Sequence, residues 1–399
     1  MNNKYELLAP AGDLERLKVA LLYGADAVFI GGQHFSLRSR ASNFTLDDIK
    51  EGCSFAHRLN KKVYVTCNIV MHEEDAKNIE EYLKQLDAIG VDAIITSSVY
   101  MAQIAIKKTN LHVHISTQCS ILNIKEIEFF KSIGCQRVVL GRECSLDNII
   151  DITKEEIAEI EVFIHGGMCS SYSGKCMLSN VMTNRDANRG GCAHSCRWKY
   201  DIFDKNNNKL NPDNTYFSMS SKDLCALSLM PEMLKANIDS FKIEGRMKSL
   251  NYIACVCKAY RLCIDDYLNG QPFDLNKYYN VIKYCENRDT GIGFLKGNIS
   301  VNEQLFILDN ECKRTGEFVG IVKDYDKKTK LATIYLRNKI MVNKDYLVFS
   351  PKKEDRLIHI NKFIVNNNDN YESYSVANDL ISFECEETLE EFDIIRLKL

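Results

Sequence analysis

Four cysteines, Cys169, Cys176, Cys192 and Cys196, fall in one run from His165 to Tyr200, HGGMCSSYSGKCMLSNVMTNRDANRGGCAHSCRWKY, with the spacing C-x6-C-x15-C-x3-C. Thiolates at this density hold metal when the chain between them is loop, and Gly174, Gly190 and Gly191 supply the turns a loop needs. A zinc ribbon requires two short knuckles, and only Cys192 and Cys196 lie close together. The spacing therefore favours an iron–sulfur cluster over structural zinc or unligated thiols. Cys225, in SSKDLC, is a fifth candidate that could replace Cys196 as the last ligand; its plainer reading is a buried cysteine at a helix start.

The same run is basic and aromatic. Arg185, Arg189, Arg197 and Lys199 interleave with Trp198, the one tryptophan of the chain, and with Tyr200. Such a mixture suits RNA, with cations on phosphates and rings on unpaired bases, although Trp198 serves equally well to pack the lobe onto its scaffold. Outside the run, Arg142 and Glu143 follow one apolar segment, His165 ends another, and Glu244 and Arg246 follow a third. Arginine forks fit a substrate carboxylate or phosphate. Glu143 and Glu244 read nearly as well as members of a structural ion-pair ring, and His165 reads first as a core histidine. Peptidase chemistry lacks its usual signatures, H-E-x-x-H and G-x-S-x-G; a Cys169–His165 pair stays open, but a cysteine tied to metal is no free nucleophile.

These residues need a scaffold, and the pattern around them is a short apolar strand, a turn, then a helical stretch, repeated. Strands are expected at Glu6–Ala9, Ala27–Gly31, Val63–Asn68, Ala93–Ser97, His112–Ser116, Arg137–Gly141, Glu161–His165 and Ser240–Glu244. Eight is the number that closes a (β/α)8 barrel, with an open doubly wound sheet as the alternative. Asp13 caps a helix Leu14–Tyr23, apolar spacing marks one helix over Glu73–Ile89, and Ser145 precedes another. On this reading residues 1–275 form the catalytic domain, with the cysteine-rich insertion 166–236 after strand 7 roofing the barrel mouth. Residues 276–311 read as a linker with a short helix, and 312–399, rich in short strands such as LATIYL and DYLVFS, as a small C-terminal β-barrel domain.

Composition bounds the rest. A formal charge of −3 means that any affinity for nucleic acid must come from local patches. No apolar run reaches membrane-spanning length and MNNKYELLAP lacks a signal-peptide core, so a cytoplasmic chain with no membrane contact and mostly reduced thiols is expected.

Several long stretches occur in order, ELLAPAGDLERLKVALLYGADAVFIGG, HGGMCSSYSGKCMLSN, NRDANRGGCAHSCRWKY, SSKDLC, IEGRMKSLNYIACVCKAYR and, at 287–297, NRDTGIGFLKG. Together they resemble peptidase family U32, the collagenase-like proteases. CRWKY and NRDANRGGC are most similar to its bacterial tRNA hydroxylation branch. The resemblance implies an enzyme that hydroxylates the wobble uridine of tRNA to 5-hydroxyuridine. It further implies a 4Fe-4S cluster on Cys169, Cys176, Cys192 and Cys196 and prephenate as co-substrate in place of molecular oxygen. Implied partners are the tRNA anticodon loop and an electron donor or iron–sulfur assembly proteins; a ribosomal-RNA cytidine hydroxylase and a true peptidase are the alternatives within the family. Gly141 and Cys144, in GREC, depart from the SREL-like run of many relatives.

Overall fold

Eight parallel strands close a barrel in the computed structural model, which describes residues 4–37, 43–285, 288–299, 301–308, 316–366 and 371–398. They are β1 (Glu6–Pro10), β2 (Ala27–Gly31), β3 (Lys62–Cys67), β4 (Ala93–Thr96), β5 (His112–Ile115), β6 (Arg137–Val139), β7 (Glu159–Gly166) and, beyond β8 (Tyr216–Ser221) and β9 (Asp223–Cys225), β10 (Ser240–Ile243). β10 pairs in parallel with both β7 and β1, which closes the ring. Helices cover the outside, so most strand residues are buried on both faces, and β2 and β4 read as continuous apolar runs.

Helix starts follow from side chains that cap orphan amides. In α1 (Leu14–Leu22) Asp13 accepts from the Arg16 amide, and α2 (Leu46–Arg58) begins with a Thr45–Asp48 capping box. The stretch Glu73–Ile89, expected as one helix, is two elements: a 3-10 turn at Glu73–Ala76 and α3 (Ile79–Ala88). Asn78 separates them at φ 64°, a left-handed conformation that asparagine tolerates and that ends helical hydrogen bonding. Then follow α4 (Val99–Lys108), α5 (Ile124–Ser132) and α6 (Leu146–Lys154), capped by Ser98, Asn123 and Ser145.

The insertion carries α7 (Leu178–Thr183) and returns through β8 and β9, and β9 runs antiparallel to the end of β7, His165 opposite Cys225. After α8 (Met230–Lys235) and β10 comes α9 (Leu250–Leu268), then α10 (Leu275–Ile282). The stretch expected to be a linker is tied into this body: Thr290–Gly291 pairs with β9, and Gln304–Leu308 pairs with β8. Its pairing is with strands distant in sequence, which local composition does not reveal. Asn287 and the boundary at 311/312 lie outside the described residues.

The C-terminal residues form an antiparallel eight-stranded sheet around a core of its own. Leu380–Glu384, not marked in the sequence, is one of its inner strands. The sheet docks on α1 and α9: the Tyr23 hydroxyl donates to the Phe349 and Phe392 carbonyls at 2.7 and 3.0 Å. Buried Arg396 donates to Asn251 at 2.9 Å and to the Cys255 sulfur at 2.8 Å, its guanidinium 3.7 Å from the Phe349 ring centre. No helix among the described residues is long and apolar enough to cross a membrane.

Candidate functional site

A cavity of about 210 Å³ opens at the C-terminal ends of the barrel strands, the end on which (β/α)8 barrels carry their sites. Its floor is barrel and its roof is the insertion. Phe29, Phe163 and Lys242 contribute from β2, β7 and β10, while Cys169, Cys176, Cys192 and Cys196 all line the opposite wall. Cys169 stands in the loop after β7, Cys176 just before α7, and Cys196 in the 3-10 turn Ser195–Arg197. Cys225 is absent from that wall; it lies buried on β9, 3.9 Å from the Tyr260 hydroxyl. Among the described residues no three His, Cys, Asp or Glu side chains converge closely enough to hold a single metal ion.

Three of the expected charged residues meet here. Arg142 donates to Glu244 at 3.1 Å and lies 3.9 Å over the Phe163 ring, so its fork is held from two sides. Arg246, only 6% exposed, donates to Ser36 at 2.9 Å and Thr66 at 3.3 Å, and also to the Leu37 carbonyl. Its seat requires glycine at position 31, because a β-carbon there would fall 1.8 Å from the Arg246 guanidinium. Lys242 was not anticipated. It sits between the Phe29 and Phe163 rings and pairs at 2.6 Å with Glu161, which is fully buried. Glu161 in turn meets Arg137 at 3.2 Å, and Arg137 reaches Glu6 and Glu159. Burial alone would raise the Glu6 carboxyl, but the charge and hydrogen bonds of Arg137 hold it below its ordinary value. A lysine inside the apolar run SFKI was the one signal of this column.

The other expected residues have different work. Glu143 accepts from the Ser173 amide at 2.8 Å and so fastens the cysteine loop to the barrel. Arg189 pairs with Asp75 and donates to the Val70 carbonyl at 2.7 Å, strapping the lobe to the turn before α3. Arg197 donates to the Met168 carbonyl at 3.1 Å and lies 3.9 Å from Asp223. Arg185 reaches the Cys192 carbonyl at 3.4 Å, Lys199 covers the Tyr216 ring, and Trp198 stays 40% exposed with Tyr200 beside it. Asn68, Ser116 and Gln118 line the cavity.

His165 faces the core rather than the cavity, its ring against Tyr252 and Tyr260 and its Nδ1 3.4 Å from the Tyr260 hydroxyl. The pairing with Cys169 that a peptidase would use is therefore not formed. Burial pushes His165 down to about 3, with Asp223 opposing and Lys248 assisting. It folds neutral. Between about pH 6.5 and 3 the unfolded chain binds a proton here that the native one does not, so this group lowers stability as the pH falls through that window. Buried His114 acts in the same direction. Urea midpoints at pH 7 and pH 5 are expected to lie closer together in His165→Gln than in the parent chain; an unchanged difference would count against this assignment.

A closed (β/α)8 barrel with four cysteines and fixed cations lining the cavity at its mouth has the architecture of a barrel enzyme. The profile of peptidase family U32 matches residues 12–304, and that of the peptidase family U32 C-terminal domain matches 314–396; the chain belongs to this family. It is 43% identical over 362 residues to tRNA hydroxylation protein P1 of Bacillus subtilis, covering 89% of this chain and 86% of that one. It is 38% identical over 264 residues to the 23S rRNA 5-hydroxycytidine C2501 synthase of Escherichia coli, covering 66% of this chain and 40% of that one. It is also similar to a collagenase of Porphyromonas gingivalis, 34% identical over 281 residues and 67% of each chain.

Proposed function

We propose that this protein is an RNA hydroxylase that acts on tRNA, converting the wobble uridine to 5-hydroxyuridine with a 4Fe-4S cluster and with prephenate as co-substrate in place of oxygen. The observation that carries the reading is that four thiols and the cations Arg142, Arg246 and Lys242 line one cavity, in a chain most of whose length aligns with a tRNA hydroxylation protein. The donor set fits a cluster: thiols alone, on loop and 3-10 backbone, spread around a common space. Cys169, Cys176, Cys192 and Cys196 would hold it, and Cys225, packed in the core, would not. When bound, such a cluster supplies one-electron chemistry at the barrel mouth.

The chain's own residues do the rest. Arg142, braced by Glu244 and Phe163, presents its fork to a carboxylate of the co-substrate, and Arg246, in the lining of the same cavity, adds a second cation. Because both guanidiniums are already held, little order is lost on binding. Lys242, with Glu161 beneath it, fixes positive charge at the floor where a developing negative charge would lie. Apolar Phe29 and Phe163 beside these cations lower the local polarity, which strengthens each of these contacts.

Nucleoside mass spectrometry of tRNA from a deletion strain tests the reading: 5-hydroxyuridine derivatives should fall and return with the plasmid-borne gene. Unchanged levels, in a strain with no second pathway, would sink it. Loss of a hydroxycytidine in ribosomal RNA instead would move the substrate to the second relative's class.

A further inference from the structure

A cavity of about 210 Å³ accepts one base or one small acid, not a helix. An RNA substrate must therefore offer its reacting nucleotide unstacked, with its ring contacts to both neighbours lost. Tyr172 stands where a replacement is needed. It lines the cavity between Cys169 and Cys176 in sequence, yet keeps 58% of its surface exposed.

Its loop is pinned immediately C-terminal to the ring. The Ser173 amide donates to Glu143 at 2.8 Å, the Ser120 hydroxyl donates to the Ser173 carbonyl, and the Lys175 amide donates to the Tyr172 carbonyl at 3.0 Å. Gly174, at φ +75°, passes so close to Gln118 that a β-carbon would lie 2.3 Å from its carbonyl oxygen. An aromatic ring held open to solvent on an over-determined loop loses little freedom on contact, which is what a stacking platform requires. Lys175, exposed in the same turn, places a cation within one residue-turn of the ring for the adjoining phosphate.

We propose that Tyr172 is a positioning residue for the RNA substrate, stacking on the base presented to the cavity; the inference rests on the RNA-hydroxylase reading above. The holoenzyme and a labelled anticodon stem-loop RNA test it by fluorescence anisotropy and steady-state kinetics. Tyr172→Ala should weaken RNA affinity about ten- to hundredfold, the usual range for one lost base–aromatic stack, with the loss appearing in KM more than in kcat. Tyr172→Phe and Tyr172→Trp keep a ring and should stay within about threefold of the parent. If the parent binds and modifies the RNA and Tyr172→Ala matches it, the proposal is overturned. If the parent itself neither binds nor modifies RNA, the RNA reading fails and this inference with it.

Discussion

Cys176→Ser abolishes hydroxylation and leaves the barrel folded: that is the result expected from the placement of Cys176 on the cavity wall just ahead of α7. The lobe around it is held by contacts that do not involve the thiol. Asn188 donates to the Cys176 backbone carbonyl at 3.0 Å, the Ala193 amide donates to Ser179 at 2.8 Å, and β8 is paired along its length with Gln304–Leu308. The barrel closes independently through β10. Serine preserves size and hydrogen bonding while removing the soft donor, so iron and sulfide content should fall with activity while the far-ultraviolet circular dichroism stays that of the parent. Cys225→Ser is the matched control. Cys225 is buried beside Tyr260 and away from the cavity wall, so its replacement should lower stability by about 1–2 kcal/mol and keep both metal and activity. Full activity in Cys176→Ser would remove it from the ligand set; lost iron in Cys225→Ser with Cys196→Ser unaffected would exchange the fourth ligand.

The barrel was legible because its strands are buried on both faces and so stand out as apolar runs, most of them followed by a helix that opens on one polar capping side chain the sequence displays, Asp13 and Ser145 among them; α3 and α7 start without such a cap. The cysteine wall was legible for a different reason, namely that thiols so close in sequence have few ways to avoid one another in a loop. The basic residues of the lobe were less so. Arg189 and Arg197 look in sequence like free cations, but their partners are Asp75 and Asp223, distant in the chain, and no local pattern distinguishes a paired surface arginine from a free one. His165 likewise ends a barrel strand, yet the pairing of β9 with the end of β7 closes it into the core. The split at Asn78 hid inside a stretch whose apolar spacing is helical on both sides of the break.

The buried column Glu6–Arg137–Glu161–Lys242 was the least legible feature and carries the other large prediction. Its members come from β1, β6, β7 and β10, and its pairs bridge as many as 131 residues of chain. Glu161 is fully buried and serves two cations, Lys242 at 2.6 Å and Arg137 at 3.2 Å. Glu161→Gln keeps the volume but removes the charge that Lys242 pairs with, while Arg137 keeps Glu6 and Glu159, so the Lys242 ammonium is left uncompensated inside the barrel; such a loss costs about 3–5 kcal/mol. Urea denaturation should show it, and a cost below about 1 kcal/mol would mean that water or another carboxylate already neutralises the site. Adding Lys242→Met removes the stranded ammonium and places an apolar chain between Phe29 and Phe163, so the double variant should recover part of the lost stability. It should not recover activity, because Lys242 is also the cation at the cavity floor. Stability and catalysis thus part company at one residue: with Glu161 replaced, a cation at position 242 lowers stability while, on the function proposed above, its removal abolishes activity, so only a chain carrying both Glu161 and Lys242 should show both.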